Sequence, residues 1–286
     1  MSLTEALRAQ PALLIAVCAL FGLAIGSFLN VLALRLPRMM QAAWKRESRH
    51  FLGLPAEEAP TVPLTLWSPP STCPACGARI RPWHNVPLLG WLVLRGRCAD
   101  CRAPISPQYP LVELAAGVAA AVCAWRFGWS AALAPALILS FALIALTVID
   151  LREQLLPDSL TLPLLWLGLL LSCLGLFATP RASILGAALG YLALWSVYHL
   201  FKLVTGKEGM GYGDFKLLAA LGAWFGAGSL VLIVLLSSVV GALVGLSLMA
   251  FAGHRRDQPI PFGPYLAGAG WIVLIWGAVL HRMLPL

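Results

Sequence analysis

The sequence predicts an all-α integral membrane protein with about eight transmembrane helices and a zinc-stapled cytoplasmic loop between the first two. Three observations carry that expectation. Of the 286 residues 60% are hydrophobic and only 11% charged, far from the roughly 25% charged residues of soluble domains. Uncharged apolar runs recur, each long enough to cross ~30 Å of hydrocarbon as a helix. Four cysteines sit as two C-x-x-C pairs inside the longest polar stretch.

In chain order, the predicted crossings run over 11–34, 109–125, 127–149, 159–178 and 182–201. From 217 to 253 no charge appears for 37 residues, which at ~1.5 Å per residue overshoots a bilayer. The run therefore divides near Gly226 and Gly228, and a last span over 262–280 makes eight. Three parts follow: a first helix over 1–34, a zinc-binding loop over 35–108, and a membrane core over 109–286. The first apolar segment is too long, and too weakly preceded by positive charge, for a cleaved signal peptide.

Loop charges orient these spans, because Lys and Arg are retained on the cytoplasmic side. Sixteen basic residues fall in one set of loops. Ten lie between Arg35 and Arg102, with Arg152, Lys202, Lys207, Lys216, Arg255 and Arg256 completing the set; Arg8, Arg126, Arg181 and Arg282 fall in the other. Both termini are accordingly expected on the periplasmic side. The net charge of +8 is thus topology rather than a nucleic-acid footprint, although Trp44, Trp67, Trp83 and Trp91 interleave with arginines. No nucleic-acid partner is expected.

Cys73 and Cys76 form one knuckle and Cys98 and Cys101 another, separated by 21 residues. Two such knuckles bring four thiolates around one tetrahedral zinc, and a fully protein-ligated site is structural. Two disulfides would be out of place in a reducing compartment, and a redox pair would need no second copy. Gly77 supports the first turn. Cys18, Cys123 and Cys173 read as small packing residues.

Ionisable groups at membrane depth are costly and mark function by default. Of twelve acids, Glu5, Glu47, Glu57, Glu58, Asp100 and Asp257 lie in polar segments, and Glu153 and Glu208 read as solvated loop charges. Asp150 closes the third span and Asp214 opens the sixth, so both are expected at the same membrane face. Two carboxylates at one depth can share a proton, since like charges a few ångströms apart cannot both ionise. That is the arrangement of an aspartic protease. Gly209, Gly211 and Gly213 give bendable backbone before Asp214, without the G-x-G-x-x-G spacing or the preceding strand of a nucleotide loop. Asp158 and Asp214 also read as helix N-caps, capping being the preferred role for Asp158. Glu113, a turn inside the second span, reads equally as a functional group or as an ion-pair partner of Arg35 or Lys216.

These residues resemble a known family, the bifunctional type IV prepilin leader peptidases and N-methyltransferases. The resemblance rests on Gly26-Ser-Phe-Leu-Asn30-Val with Arg35-Leu-Pro37, both knuckles, Pro110-Leu-Val-Glu113-Leu and Asp150 through Pro157-Asp158. It extends over Gly209-Met-Gly211-Tyr-Gly213-Asp214-Phe-Lys216 and Pro261-Phe-Gly-Pro264. It implies an inner-membrane enzyme that cleaves basic leaders from prepilins and secretion pseudopilins after a glycine, at the cytoplasmic face. S-adenosylmethionine would then methylate the new N-terminus. The family's catalytic positions carry over to Asp150 and Asp214, with Gly211, Gly213, Asp158 and Lys216 in support. Methyl transfer rests on the resemblance alone, with Gly26, Asn30, Arg35 and Glu113 as candidate cofactor residues. The competing readings are a transporter or channel, disfavoured because the acids lie at one face rather than near the midplane, and a non-catalytic scaffold, which would tolerate loss of either acid.

Overall fold

Hydrophobic runs punctuated by glycine and proline become helices, and in the computed structural model no strand forms among the described residues, 3–55, 63–251 and 260–283; only two isolated bridges do, Thr72 with Arg79 and Arg97 with Pro104. Glu57, Glu58, Arg255, Arg256 and Asp257 lie outside the described residues. The chain clusters into two compact units, 1–129 and 130–286.

In the first unit, α1 (Leu3–Ala9) leads into α2 (Pro11–Phe51), which starts with proline in its first turn, where the missing N–H is no loss. Helix α2 does not stop at Leu34. It passes through Pro37 and continues over a charged stretch to Phe51, so its 41 residues extend about 60 Å at ~1.5 Å per residue, twice the hydrocarbon thickness. A run such as Gln41-Ala-Ala-Trp44-Lys-Arg-Glu is polar enough to read as loop but is made of good helix formers. After the short α3 (Leu89–Val93) comes α4 (Gln108–Phe127), which packs along α2. Gly22 and Gly26 make that crossing possible. A Cβ on Gly22 would lie 2.7 Å from Ala120 Cβ, and one on Gly26 would lie 2.6 Å from Glu113 Cα. Small residues four apart let membrane helices approach closely, where dispersion and backbone contacts hold them.

The second unit holds α5 (Leu133–Glu153), α6 (Asp158–Ser172), α7 (Pro180–Thr205), α8 (Tyr212–Phe225), α9 (Leu230–Phe251) and α10 (Gly263–Met283). The expected break in the long uncharged run falls at Gly226, whose φ of +79 suits a residue without Cβ. Eight spans were expected; among the described residues six helices are long and apolar enough to span a bilayer. Helices α6 and α8, of 15 and 14 residues, reach only about 21–23 Å. Helix α8 is the buried centre of this unit, packed by α6, α7 and α10, with Phe215, Leu217, Leu218, Leu221 and Trp224 almost fully enclosed. Gly186 and Gly222 meet backbone to backbone at the α7–α8 crossing, and Trp224 Nε1 donates to the Leu164 carbonyl of α6 at 2.8 Å. Around this centre, exposed Leu170, Leu203, Leu243 and Phe251 present the apolar exterior of a multi-pass membrane protein.

Candidate active site and cysteine centre

Asp150 and Asp214 are both buried, at 5% and 7% exposure. Asp150 sits in the last turn of α5, where the helix dipole disfavours a negative charge. The structure compensates from another helix: the Gly263 N–H, at the start of α10, donates to Asp150 Oδ2 at 3.0 Å. Asp214 sits in the first turn of α8, the end of a helix that favours a carboxylate. Its Oδ1 is buried with no hydrogen-bond partner among the described residues.

Leu156 links the two acids' surroundings. A Cβ on Gly213, the residue before Asp214, would lie 2.7 Å from Leu156 Cβ, and one on Gly263 would lie 3.1 Å from Leu156 Cδ2 and 2.6 Å from Asp150 Oδ2. Both glycines are thus pressed against one leucine, which gathers the end of α5, the start of α8 and the start of α10 around a common side chain. The glycine turn is clamped by Tyr198, Tyr212 and Phe215, with ring centroids 5.3–5.7 Å apart.

Asp158 does not cap α6. The cap position is Pro157, without a side-chain bond, and both Asp158 oxygens accept from Lys216 Nζ at 2.7 Å. Nor does Asp214 cap α8, whose cap is Gly211. Sequence spacing favoured capping because nothing local reveals a lysine 58 residues away.

The four cysteines Cys73, Cys76, Cys98 and Cys101 converge in the first unit, their sulfurs all within 4.8 Å of one another and two of them, Cys73 and Cys101, 3.8 Å apart. Metal–sulfur bonds of about 2.3 Å in a tetrahedron place sulfurs about 3.8 Å apart, so the cluster fits zinc, and no disulfide joins these cysteines. The two knuckles repeat one backbone pattern. Gly77 N–H donates to the Cys73 carbonyl and Arg102 N–H to that of Cys98, while Cys73 and Cys98 N–H donate to Ala78 and Ala103. Gly77 and Arg102 both adopt left-handed backbone, φ +72 and +61. The N–H groups of Cys76 and Ala75 hold the Cys73 thiol down to about 7. Cys76 receives a lowering hydrogen bond from Ala78, but the neighbouring Cys101 sulfur, burial and the other thiols push it up to about 12. Four thiolates repel one another in this way unless a cation sits among them.

Comparison with known proteins reproduces the two-part division. The profile of the bacterial peptidase A24 N-terminal domain matches residues 20–127, and that of the type IV leader peptidase family matches 137–246. Relatives described as prepilin leader peptidase/N-methyltransferase align along nearly the whole chain. The protein of Stutzerimonas stutzeri is 54% identical over 277 residues, covering 97% of this chain and 96% of the relative. The chain belongs to the prepilin leader peptidase/N-methyltransferase family. The Pseudomonas aeruginosa member is 51% identical over 283 residues, 99% and 97% of the two chains, and that of Xanthomonas campestris pv. campestris 51% over 256 residues, 90% and 89%. No solved structure matches the chain.

The remaining site candidates of this prepilin leader peptidase/N-methyltransferase family member lie in the first unit. Gly26 serves the α2–α4 crossing. Asn30 Nδ2 donates to the Tyr109 carbonyl at 3.0 Å, while its buried Oδ1 has no partner among the described residues. Arg35 donates to the carbonyls of Thr65 and Pro69 at 2.9 and 2.6 Å, and Glu113 accepts from the Leu88 N–H at 2.8 Å. The expected pairing of Glu113 with Arg35 or Lys216 is therefore absent: both cations have other partners. Leu88, at φ +60, precedes α3, and its amide is held by that carboxylate. Sequence reasoning did not single out Leu156, Tyr198 or Gly263 for the acid site. Of these only Gly263 had a signal, the Pro261-Phe-Gly-Pro264 motif.

Proposed function

We propose that this protein is an inner-membrane enzyme that removes the basic leader of type IV prepilins and secretion pseudopilins after a glycine, at the cytoplasmic face, and then N-methylates the new N-terminus. The observation that carries the peptidase reading is the pair of buried carboxylates, Asp150 and Asp214, held beside one leucine at the ends of two helices in a family of leader peptidases. One carboxylate draws a proton from water as its oxygen attacks the scissile carbonyl, and the other donates a proton to the carbonyl oxygen. Breakdown returns a proton to the leaving amine. A membrane-embedded site keeps bulk water out, so each charge acts in a medium of low dielectric.

Zinc bound by Cys73, Cys76, Cys98 and Cys101 would be structural, all four positions being filled by protein. S-adenosylmethionine would supply an electrophilic methyl group. Among Gly26, Asn30, Arg35 and Glu113, Asn30 alone has a buried polar atom still open to a donor, which supports a place for it near the methyl donor. The transporter reading loses its ground to the family membership.

The test is cleavage of a purified prepilin by the full-length enzyme, with the product weighed. D150N and D214N, each shown to insert normally, are expected to lower cleavage by about 10²–10⁴-fold, the contribution of a positioned general acid or base, while a pre-cleaved pilin still gains its methyl group. Normal leader removal by either variant would falsify that residue's assignment.

A further inference from the structure

The Pro261-Phe-Gly-Pro264 motif leads into α10, and its glycine makes a hydrogen bond to Asp150, 113 residues away in sequence and the one long-range bond to it among the described residues. Two observations about Gly263 go together. Its N–H, at the positive end of a 21-residue helix, donates to Asp150 Oδ2, and its missing side chain is what allows the approach. A Cβ there would lie 2.6 Å from that same oxygen, closer than such contacts occur, and a tight 3.2 Å from the carboxyl carbon. Phe262 and the ring of Pro264 flank the glycine, and a proline early in a helix fixes its φ at a helical value, so the donor is aimed by rigid backbone.

Not every glycine of α10 is built for this. Gly270 faces Leu221 of α8, where a Cβ would lie 2.5 Å from Cδ2, and Gly268 faces open space. Helix packing accounts for the first and nothing constrains the second. Only Gly263 meets a carboxylate.

We propose that Gly263 is a positioning residue for peptide cleavage: its amide anchors Asp150 Oδ2 and so fixes the orientation of that carboxylate towards Asp214. This rests on the aspartyl-peptidase reading above. The donor offsets the unfavourable position of Asp150 at the C-terminal end of α5, because a charge-assisted hydrogen bond from a helix N-terminus favours a carboxylate oxygen there. Anchoring one oxygen removes rotation about the Cβ–Cγ bond. A displacement of about 1 Å at a catalytic group costs on the order of 100-fold in rate, and an added methyl at residue 263 forces a displacement of that size.

The experiment compares G263A, G268A and G270A in the full-length enzyme with a prepilin substrate, reading kcat, KM, thermal stability and zinc content. G263A is expected to lower kcat about 100-fold with KM within twofold and zinc retained. G270A is expected to lower thermal stability while its folded fraction keeps its kcat, and G268A to match the parent. If G263A does not insert, L156A is compared with L156A/G263A: removing Leu156 relieves the methyl's second contact and leaves only the clash with Asp150, so the double variant should again fall about 100-fold below the single. The proposal is overturned if G263A keeps its kcat, or loses activity only in proportion to folded protein as G270A does. D150N and D214N, run alongside, separate the two levels. Cleavage by those variants rejects the aspartyl reading itself, whereas their inactivity beside a fully active G263A rejects only the role of Gly263.

Discussion

Individual side chains show most plainly what a sequence can and cannot disclose. Asp150 and Asp214 were legible because an acid beside a long apolar run is costly wherever it falls. Lys216 and Asp158 stand out in the sequence, but their bond to each other leaves no local signal, since it joins α6 to α8 across 58 residues. The pair is partly exposed, with side-chain exposures of 27% and 54%, so by itself it adds at most about 1 kcal/mol of stability. Its position matters more. It ties the first residue of α6, eight residues after Asp150, to the helix bearing Asp214, two residues from that acid. K216D is therefore expected to lower prepilin cleavage about tenfold, through like-charge repulsion at the site, with little change in melting temperature. The swap D158K/K216D should recover several-fold of the lost rate. A swap no better than the single variant would show that the lysine acts on something other than Asp158.

Among the elements, uncharged apolar runs and glycine placement located the six long apolar helices and the break at Gly226. What local pattern did not reveal was length. Helix α2 runs 17 residues beyond the expected end at Leu34, because Arg, Lys, Glu and Gln leave the membrane without leaving the helix. Helix α8 stops short because Gly211 and Gly226 bound it, and its burial by three neighbours was invisible to hydropathy. The two cysteine knuckles were read fully from spacing, and their geometry supports a strong prediction. The purified protein is expected to contain one zinc per chain. Replacing Cys73, Cys76, Cys98 and Cys101 by serine should abolish it and lower the melting temperature, and strong chelation should do the same to the parent, since binding energy at such a site is folding energy. Metal analysis showing equal zinc in the serine variant would refute the site. The knuckles differ at one residue, Gly77 against Arg102 in the same left-handed turn. R102G is expected to raise stability by up to about 1 kcal/mol through relief of that strain, measured by thermal unfolding of the zinc-loaded protein.

For the molecule as a whole, the proposed orientation in the membrane rests on charge placement, and every functional statement about a cytoplasmic site depends on it. The acid site lies where α5 ends and α8 begins. The segments there carry Arg152, Lys202, Lys207 and Lys216, whereas the opposite end of α7 carries Arg181 alone. Retention of basic residues inside would put Asp150 and Asp214 at the cytoplasmic boundary, the side proposed for leader cleavage. Exposed positions at the two ends of α7 test this directly, because a single helix of 26 residues must place them on opposite sides. In a variant with Cys18, Cys123 and Cys173 changed to alanine, R181C should react with a membrane-impermeant maleimide in intact spheroplasts. K207C should react only after the membrane is opened, above the labelling of a background variant that keeps only the four knuckle cysteines. Labelling of K207C from outside, with R181C protected, would turn the protein over and put the two aspartates on the wrong face for leader cleavage. The same result would leave their burial, their shared leucine and the Gly263 hydrogen bond unchanged, so topology is the property on which the cytoplasmic site of action, and not the chemistry, stands.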